Sequence, residues 1–241
     1  IYVYVFIYRA HTYTYITIML SDSYHPRIIN EPAPSSESPD MSPLKVDVGL
    51  ISGVSGSSYM EIGGAKVMCS IHGPHASQRK GMFSKMGQLE CDVRYASSAV
   101  CPGKIQPCMI THALQSNVHL EKYAKTIISI NIVVLQSDGN DLAPAITCAS
   151  LALLNAGIEM RDIVCAFAVA SRGGKLLQFP SAHVAKSSDS FLVVASVPRT
   201  GEVTQLWLEG KQDTAAIERM VQICCLGNVE LRKDIRQKLL S

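Results

Sequence analysis

The chain has 241 residues, 22 Lys and Arg against 20 Asp and Glu, a formal charge of +2, and 47% hydrophobic residues. That composition excludes a disordered polyelectrolyte and a globally basic nucleic-acid coat, so any contact with a polyanion must come from a local patch. Eight cysteines, none in a Cys-x-x-Cys pair and most inside apolar runs, read as buried free thiols of a reducing compartment rather than as a disulfide framework or metal site.

In chain order, the first twenty residues, IYVYVFIYRAHTYTYITIML, mix β-branched and aromatic side chains. Arg9, His11 and several Thr interrupt them, which suits neither a transmembrane span nor a signal peptide. The stretch reads as a strand-prone, aggregation-prone tail or a gene-model extension, with Met19 or Met41 nearer the true start. A Pro- and Ser-rich segment follows, so residues 1–43 are expected to be a disordered leader or an extension, and residues 44–241 the globular domain.

From Leu44 the pattern has period two. LKVDVGLIS is a strand, and SSYMEIGGAKVMCSIHG is two strands joined at Gly63-Gly64, a pair suited to a tight hairpin turn. In GQLECDVRYA, Leu89, Cys91, Val93 and Tyr95 share one face and Gln88, Glu90, Asp92 and Arg94 the other, a half-exposed strand. A helix is predicted from Ile105 to Lys122, with Ile110, Ala113, Leu114 and Val118 on its apolar face. TIISINIVVLQS is a buried strand, VVLQSDGNDLAPAITCASLALL leads from it through a Gly turn into an apolar helix, and DIVCAFAVAS follows as the second strand of a β-α-β unit. GKLLQF, SFLVVASV and EVTQLWLE are three more strands. A last helix spans Thr214–Leu239, with Ile217, Val221, Cys224, Leu231 and Ile235 as its stripe. The pattern is an α+β sandwich of two β-rich halves, each followed by helix.

The chemistry-bearing motifs are few. SGVSGSS has Ser and Gly without a strand-elbow-helix context, so it reads as a turn. His72 and His75 flank Gly-Pro with no third ligand nearby in sequence, which points to loop histidines rather than a metal site. No phosphate-loop or dinucleotide fingerprint is present, and no cofactor is implied. HASQRKGMFSKMG is the one local basic segment, with Arg79, Lys80 and Lys85 and no acid; it suits either phosphate contacts or a solvated hairpin loop. The Gly turn Asp138-Gly139-Asn140-Asp141 opens a helix, where outward amides and the positive dipole end favour anions, yet it carries two acids and no cation.

GSSYMEIGGAKVMCSIHGP resembles the opening signature of the ribonuclease PH family, and LEKYAKTIISINIVVLQSDG followed by LALLNAGIEMRDIV resembles its second signature. The ordered similarity runs from about Leu44 to Gly210, with VPRTGEVTQLWLEG fitting the strands before the last helix. The resemblance implies a β-α-β-α fold and a place in a six-membered ring around a pore. Active members degrade RNA from its 3′ end by phosphorolysis, and inactive members are structural subunits of the RNA exosome core.

Three positions bear on which kind this is. Active relatives read Gly-Thr-Arg after Asp-Gly, where the Arg and the helix N-terminus hold phosphate; here stand Asn140, Asp141 and Leu142. Gly139, Asn140 and Asp141 are therefore expected to form a degenerate phosphate site, with Asp141 free to cap the helix. The family's acid before the Val-Val strand aligns with Ser190 or Phe191, Asp189 being the nearest carboxylate. In place of the family's basic stretch, ASSAVCPGKIQPC offers only Lys104.

The resemblance thus implies no catalytic residues and no metal, in a structural subunit supporting 3′–5′ RNA processing and degradation. The alternative is an active phosphorolytic 3′–5′ exoribonuclease. Among ring subunits the text is most similar to the mRNA-transport-regulator type, with the ribosomal-RNA-processing type as near alternative. Implied partners are other ribonuclease-PH-like ring subunits, cap subunits and RNA, the last through Arg79, Lys80, Lys85 and Arg94, in the nucleus (with nucleolus) and cytoplasm. An isolated ring subunit exposes apolar edges, so the chain is expected to be poorly soluble alone and rescued by co-expression with its neighbours.

Overall fold

The computed structural model describes residues 4–10, 13–19, 44–76, 86–96 and 105–240. Within the expected leader, β1 (Tyr4–Ala10) and β2 (Tyr13–Met19) pair as an antiparallel hairpin.

The first half builds a five-stranded sheet from β3 (Lys45–Val48), β4 (Gly56–Ile62), β5 (Ala65–Ala76), β6 (Gln88–Tyr95) and β7 (Thr126–Gln136), in the order β3-β4-β5-β7-β6. Gly63 and Gly64 make the β4–β5 turn as expected. Only β6 and β7 run parallel, and the connection such a pair requires carries α1 (Pro107–Gln115). Val67, Cys69 and Ile71 on β5 and Ile128, Ile130, Ile132 and Val134 on β7 point inward at period two and are almost completely buried.

The helix expected to reach Lys122 stops at Gln115. The Asn117 carbonyl accepts from Arg161 N at 2.9 Å, the Asn117 amide donates to the Asp162 carbonyl, and Val118 bridges Met160. These bonds pull the chain out of helix to meet the segment before the second sheet, and a short 3₁₀ turn at Leu120–Tyr123 follows.

The second half adds α2 (Leu142–Asn155), β8 (Cys165–Arg172), β9 (Lys175–Gln178), the short α3 (Ala182–Lys186), β10 (Ser190–Val197), β11 (Glu202–Gly210) and α4 (Thr214–Leu240). Its sheet has the order β11-β10-β8-β9 and is wholly antiparallel. The β7-α2-β8 passage is therefore not the single-sheet β-α-β unit that was expected: β7 and β8 belong to different sheets. The reason is in α2 itself, buried without a break from Leu142 to Leu153. A helix apolar all round needs cover on two sides, and one sheet supplies only one.

Small polar side chains of β4 and α2 tie the helix to both halves. Ser58 Oγ of β4 donates to the Cys148 carbonyl at 2.6 Å, Thr147 Oγ1 accepts from Ala166 N at 3.0 Å, and Ser150 Oγ accepts from Val164 N at 2.8 Å. The main core fills the layer around α1 and α2, and a second cluster joins the far face of the β8/β10/β11 sheet to α4 through Phe167, Val169, Leu192, Val194, Met220 and Cys224. Of the described cysteines, Cys69, Cys148, Cys165 and Cys224 are buried and free; burial pushes the Cys148 and Cys165 thiols up to about 12, which leaves them unreactive packing groups.

Candidate functional site

The Gly turn between β7 and α2 is built by its own acids. Gly139 has φ of +81°, a left-handed conformation that glycine adopts without strain. The chain reverses there and Asp141 arrives at the helix N-cap. Its carboxylate does not cap the helix as expected. Asp141 has helical backbone angles (φ −80°, ψ −23°), and its side chain turns back: Ser137 Oγ donates to Oδ2 at 2.5 Å and Asp138 N donates to Oδ1 at 3.2 Å. An N-cap side chain reaches the amides of the next turn only from an extended backbone, so the helical angles decide against capping.

Asp138 points the other way. Its Oδ2 accepts from Gly64 N at 3.2 Å and ties the β4–β5 turn to the site. A Cβ at position 64 would fall 2.8 Å from the Asp138 carboxyl carbon, so the second glycine of that turn makes room for the acid. Both carboxylates are committed to backbone and hydroxyl donors, and among the described residues neither makes an ion pair with Lys or Arg.

Burial raises the Asp141 carboxyl above its ordinary value of 3.8. The Ser137 hydroxyl and the Asp138 amide pull it down, and the Asp138 charge raises it further. A carboxyl with a raised folded pKa binds its proton more tightly folded than unfolded. Its contribution to stability is full below 3.8 and is lost as pH rises through the folded value. Asp141→Asn should therefore gain thermal stability relative to wild type near neutrality and lose that advantage near pH ~3. Melting curves of the two proteins across that range check it, and a pH-independent difference contradicts it.

Leu142, where active relatives carry Arg in the resemblance, is itself buried. With Ile146 of α2 it faces Val193, Ala195, Gln205 and Trp207 across a tightly closed, shallow groove. Phe191 stacks edge-on against Trp207, centroids 5.8 Å apart at 81°. The wall opposite the first turn of α2 is thus apolar except for Gln205, whose Oε1 is buried with no partner, as is Asn140 Oδ1. Pro144, in the first turn of α2, removes one of the amides through which a helix N-terminus holds an anion.

The positions around the aligned acid separate by strand face. Ser190, one of the two aligned positions, turns its hydroxyl toward Met220 Sδ of α4, and Phe191 is apolar. Asp189 lies one residue earlier, on the Phe191 side by alternation, and its Oδ2 accepts from Gly173 N at 2.7 Å in the β8–β9 turn.

Of the expected RNA contacts, Arg94 alone lies among the described residues. Arg79, Lys80, Lys85 and Lys104 lie outside the described residues. The segment bearing Arg79, Lys80 and Lys85 joins β5 to β6, which meet the N-terminal end of β7 at Ala76↔Thr126 and Gln88↔Ile127. Arg94 pairs with Val133 near the other end, six residues or roughly 20 Å further along β6. Its Nε donates to Asp92 Oδ2 at 2.8 Å in an ion pair on an exposed face that also carries Glu90. His72 is half-buried on β5 and His75 is exposed. Sequence reasoning missed Trp207 and Gln205, because their facing α2 depends on a strand register that local text does not carry.

A model of the 3′ exoribonuclease family, domain 1, matches residues 40–159. The chain is 34% identical over 203 residues, 82% of its own length and 79% of the relative's, to an exosome complex component RRP41-like protein of Arabidopsis thaliana. It is 31% identical over 156 residues to the exosome complex component MTR3 of Homo sapiens, covering 56% of this chain and 57% of the relative. The crystal structure of rice (Oryza sativa) Rrp46 superposes with a TM-score of 0.74 at 18% identity over 83% of this chain and 96% of that one, a likeness of fold.

Proposed function

This chain belongs to the 3′ exoribonuclease family of RNase PH, and from that membership we propose that it is a non-catalytic structural subunit of an exosome core ring, supporting 3′–5′ RNA processing and degradation. Its relatives of the RRP41-like and MTR3 kinds favour a place among such ring components. The observation that carries the non-catalytic reading is Leu142. Where the family resemblance puts a phosphate-holding Arg, an aliphatic side chain is packed into an apolar groove, with Asp141 buried beside it. A planar, permanently charged fork cannot be replaced by Leu without losing its bidentate hold on an anion. Inorganic phosphate, mostly dianionic at neutral pH, then meets a carboxylate without a cation.

On this reading residues 44–241 are the domain that enters the ring. Arg79, Lys80 and Lys85 contribute RNA contacts, Arg94 contributes less because Asp92 holds it, and the protein works in the nucleus, including the nucleolus, and the cytoplasm beside ring and cap subunits. Asp189 favours a second reading, an active phosphorolytic exoribonuclease, because it occupies the α2-facing side of the sheet end.

The deciding test is to tag the chain in its own cells, identify stoichiometric partners, and assay the purified complex for phosphate-dependent release of nucleoside diphosphates from RNA. Several distinct RNase-PH-like partners with no activity assignable to this chain is the expected result. A homo-hexamer that releases nucleoside diphosphates overturns it.

A further inference from the structure

The outer end of the second sheet carries charge that the reading above does not use. Register places four residues in one row across it: Lys211 just past β11, Asp189 just before β10, Arg172 closing β8 and Lys175 opening β9. Ser190 pairs with both Gly210 and Ser171, so one position further out Asp189 stands between Lys211 and Arg172, and Arg172 pairs with Lys175. Alternation fixes the face. Phe191, Val193 and Ala195 of β10 and Ala166, Ala168 and Ala170 of β8 pack in the core around α2, whereas Leu192, Val194, Phe167 and Val169 pack toward α4. Asp189 and Arg172 continue the first set.

The row is distinct from the degenerate cradle. Leu142 lies level with Val193, which pairs with Ala168, and Arg172 is four residues or roughly 13 Å further along β8. Arg172, Lys175 and Lys211 are all exposed, and among the described residues no ion pair joins any of them to an acid. The one acid in the row, Asp189, spends an oxygen on the Gly173 amide. Arg172 and Lys175 also stand directly opposite each other across the hairpin, a like-charge pair that works against the strands it joins. A fold gains nothing from that arrangement by itself, whereas a bound polyanion would neutralise it.

We propose that Arg172, Lys175 and Lys211 form a binding edge for the phosphodiester groups of single-stranded RNA. The inference rests on the exosome-ring reading for its ligand and adds a contact that reading lacks. This edge lies at the end of the molecule where β7 finishes and α2 begins. The strand ends at Ala76 and Gln88 meet the opposite end of β7, about 36 Å along that strand.

The test uses the full chain in its co-purified complex and labelled single-stranded RNA, with affinity measured over a salt series. Arg172→Glu/Lys175→Glu/Lys211→Glu should bind at least ~10-fold more weakly at low salt, and its log–log salt slope should shrink by about 2, three contacts at ~0.7 each. The neutral variant Arg172→Ala/Lys175→Ala/Lys211→Ala should lose a similar slope, and Lys233→Glu/Arg236→Glu, on exposed positions of α4, should lose none. Unchanged affinity and slope in an intact complex overturn the proposal. So does the loss of an acidic protein partner with RNA binding unaffected. If the wild-type chain does not assemble into a ring, the subunit reading fails, and the same titration on the full chain alone still decides the edge.

Discussion

Phe167→Ala is expected to lower the stability of the fold by about 3–5 kcal/mol. Phe167 is 2% exposed, meets Phe179 edge-on at 4.3 Å and 60°, and is the largest side chain of the cluster that docks α4 on the second sheet. Gly227 of α4 sits on its ring: a Cβ there would lie 2.5 Å from Phe167 Cε2. The ring fills the space the glycine leaves, which makes the effect conditional. In the wild-type protein Gly227→Ala must displace a packed aromatic ring, costing about 1–3 kcal/mol, and a helix-propensity gain of about 1 kcal/mol offsets only part of that. In the Phe167→Ala background the same methyl enters vacated space, so Gly227→Ala should be neutral or stabilising. Urea titration read by pulse proteolysis, workable at low protein concentration, measures all four proteins. Equal damage from Gly227→Ala in both backgrounds would show that this contact does not govern the docking of α4.

That contact also marks where sequence stops being informative. The stripe of α4 was legible from Cys224, Leu231 and Ile235, because period 3.6 is local. Gly227 and Asn228 were not, since one is defined by a ring sixty residues away and the other by the bonds of its side-chain amide to the Val194 carbonyl and Ser196 Oγ. The alternating strands were readable for the same reason as the stripe. The misreadings came where tertiary partners decide. An all-apolar α2 signals burial, yet only the folded chain assigns its two flanking strands to different sheets. Asp141 at a helix start reads as a cap, but a helical φ/ψ at that residue diverts it to Ser137 and Asp138. The cation row joins Arg172, Lys175 and Lys211 across 39 positions of sequence through strand register, which no motif encodes. The composition of the Gly turn, two acids and no cation, was by contrast legible directly, because a turn is written in consecutive residues.

The largest functional effect should come from restoring that turn. The variant Asn140→Gly/Asp141→Thr/Leu142→Arg is expected to bind orthophosphate where the wild-type chain does not. Two electrostatic changes act together. Removing the Asp141 charge relieves a repulsion of up to ~4 kcal/mol per phosphate charge at ~4 Å and an effective dielectric near ~20. The new guanidinium supplies a charge-assisted fork. Opposing them, Leu142 leaves its place against Ile146, Val193, Ala195 and Trp207, a loss of about 1.5–3 kcal/mol of stability, and Pro144 still withholds its amide. The penalty falls on folding and the gain on binding, so they separate experimentally: the variant should melt earlier than wild type without phosphate and regain stability as phosphate rises against a chloride control. Asp141→Asn alone should respond far less, since it removes repulsion without adding a clamp. A wild-type chain that phosphate already stabilises would mean the cradle is still in use, and Asp189 would then become the first residue to substitute.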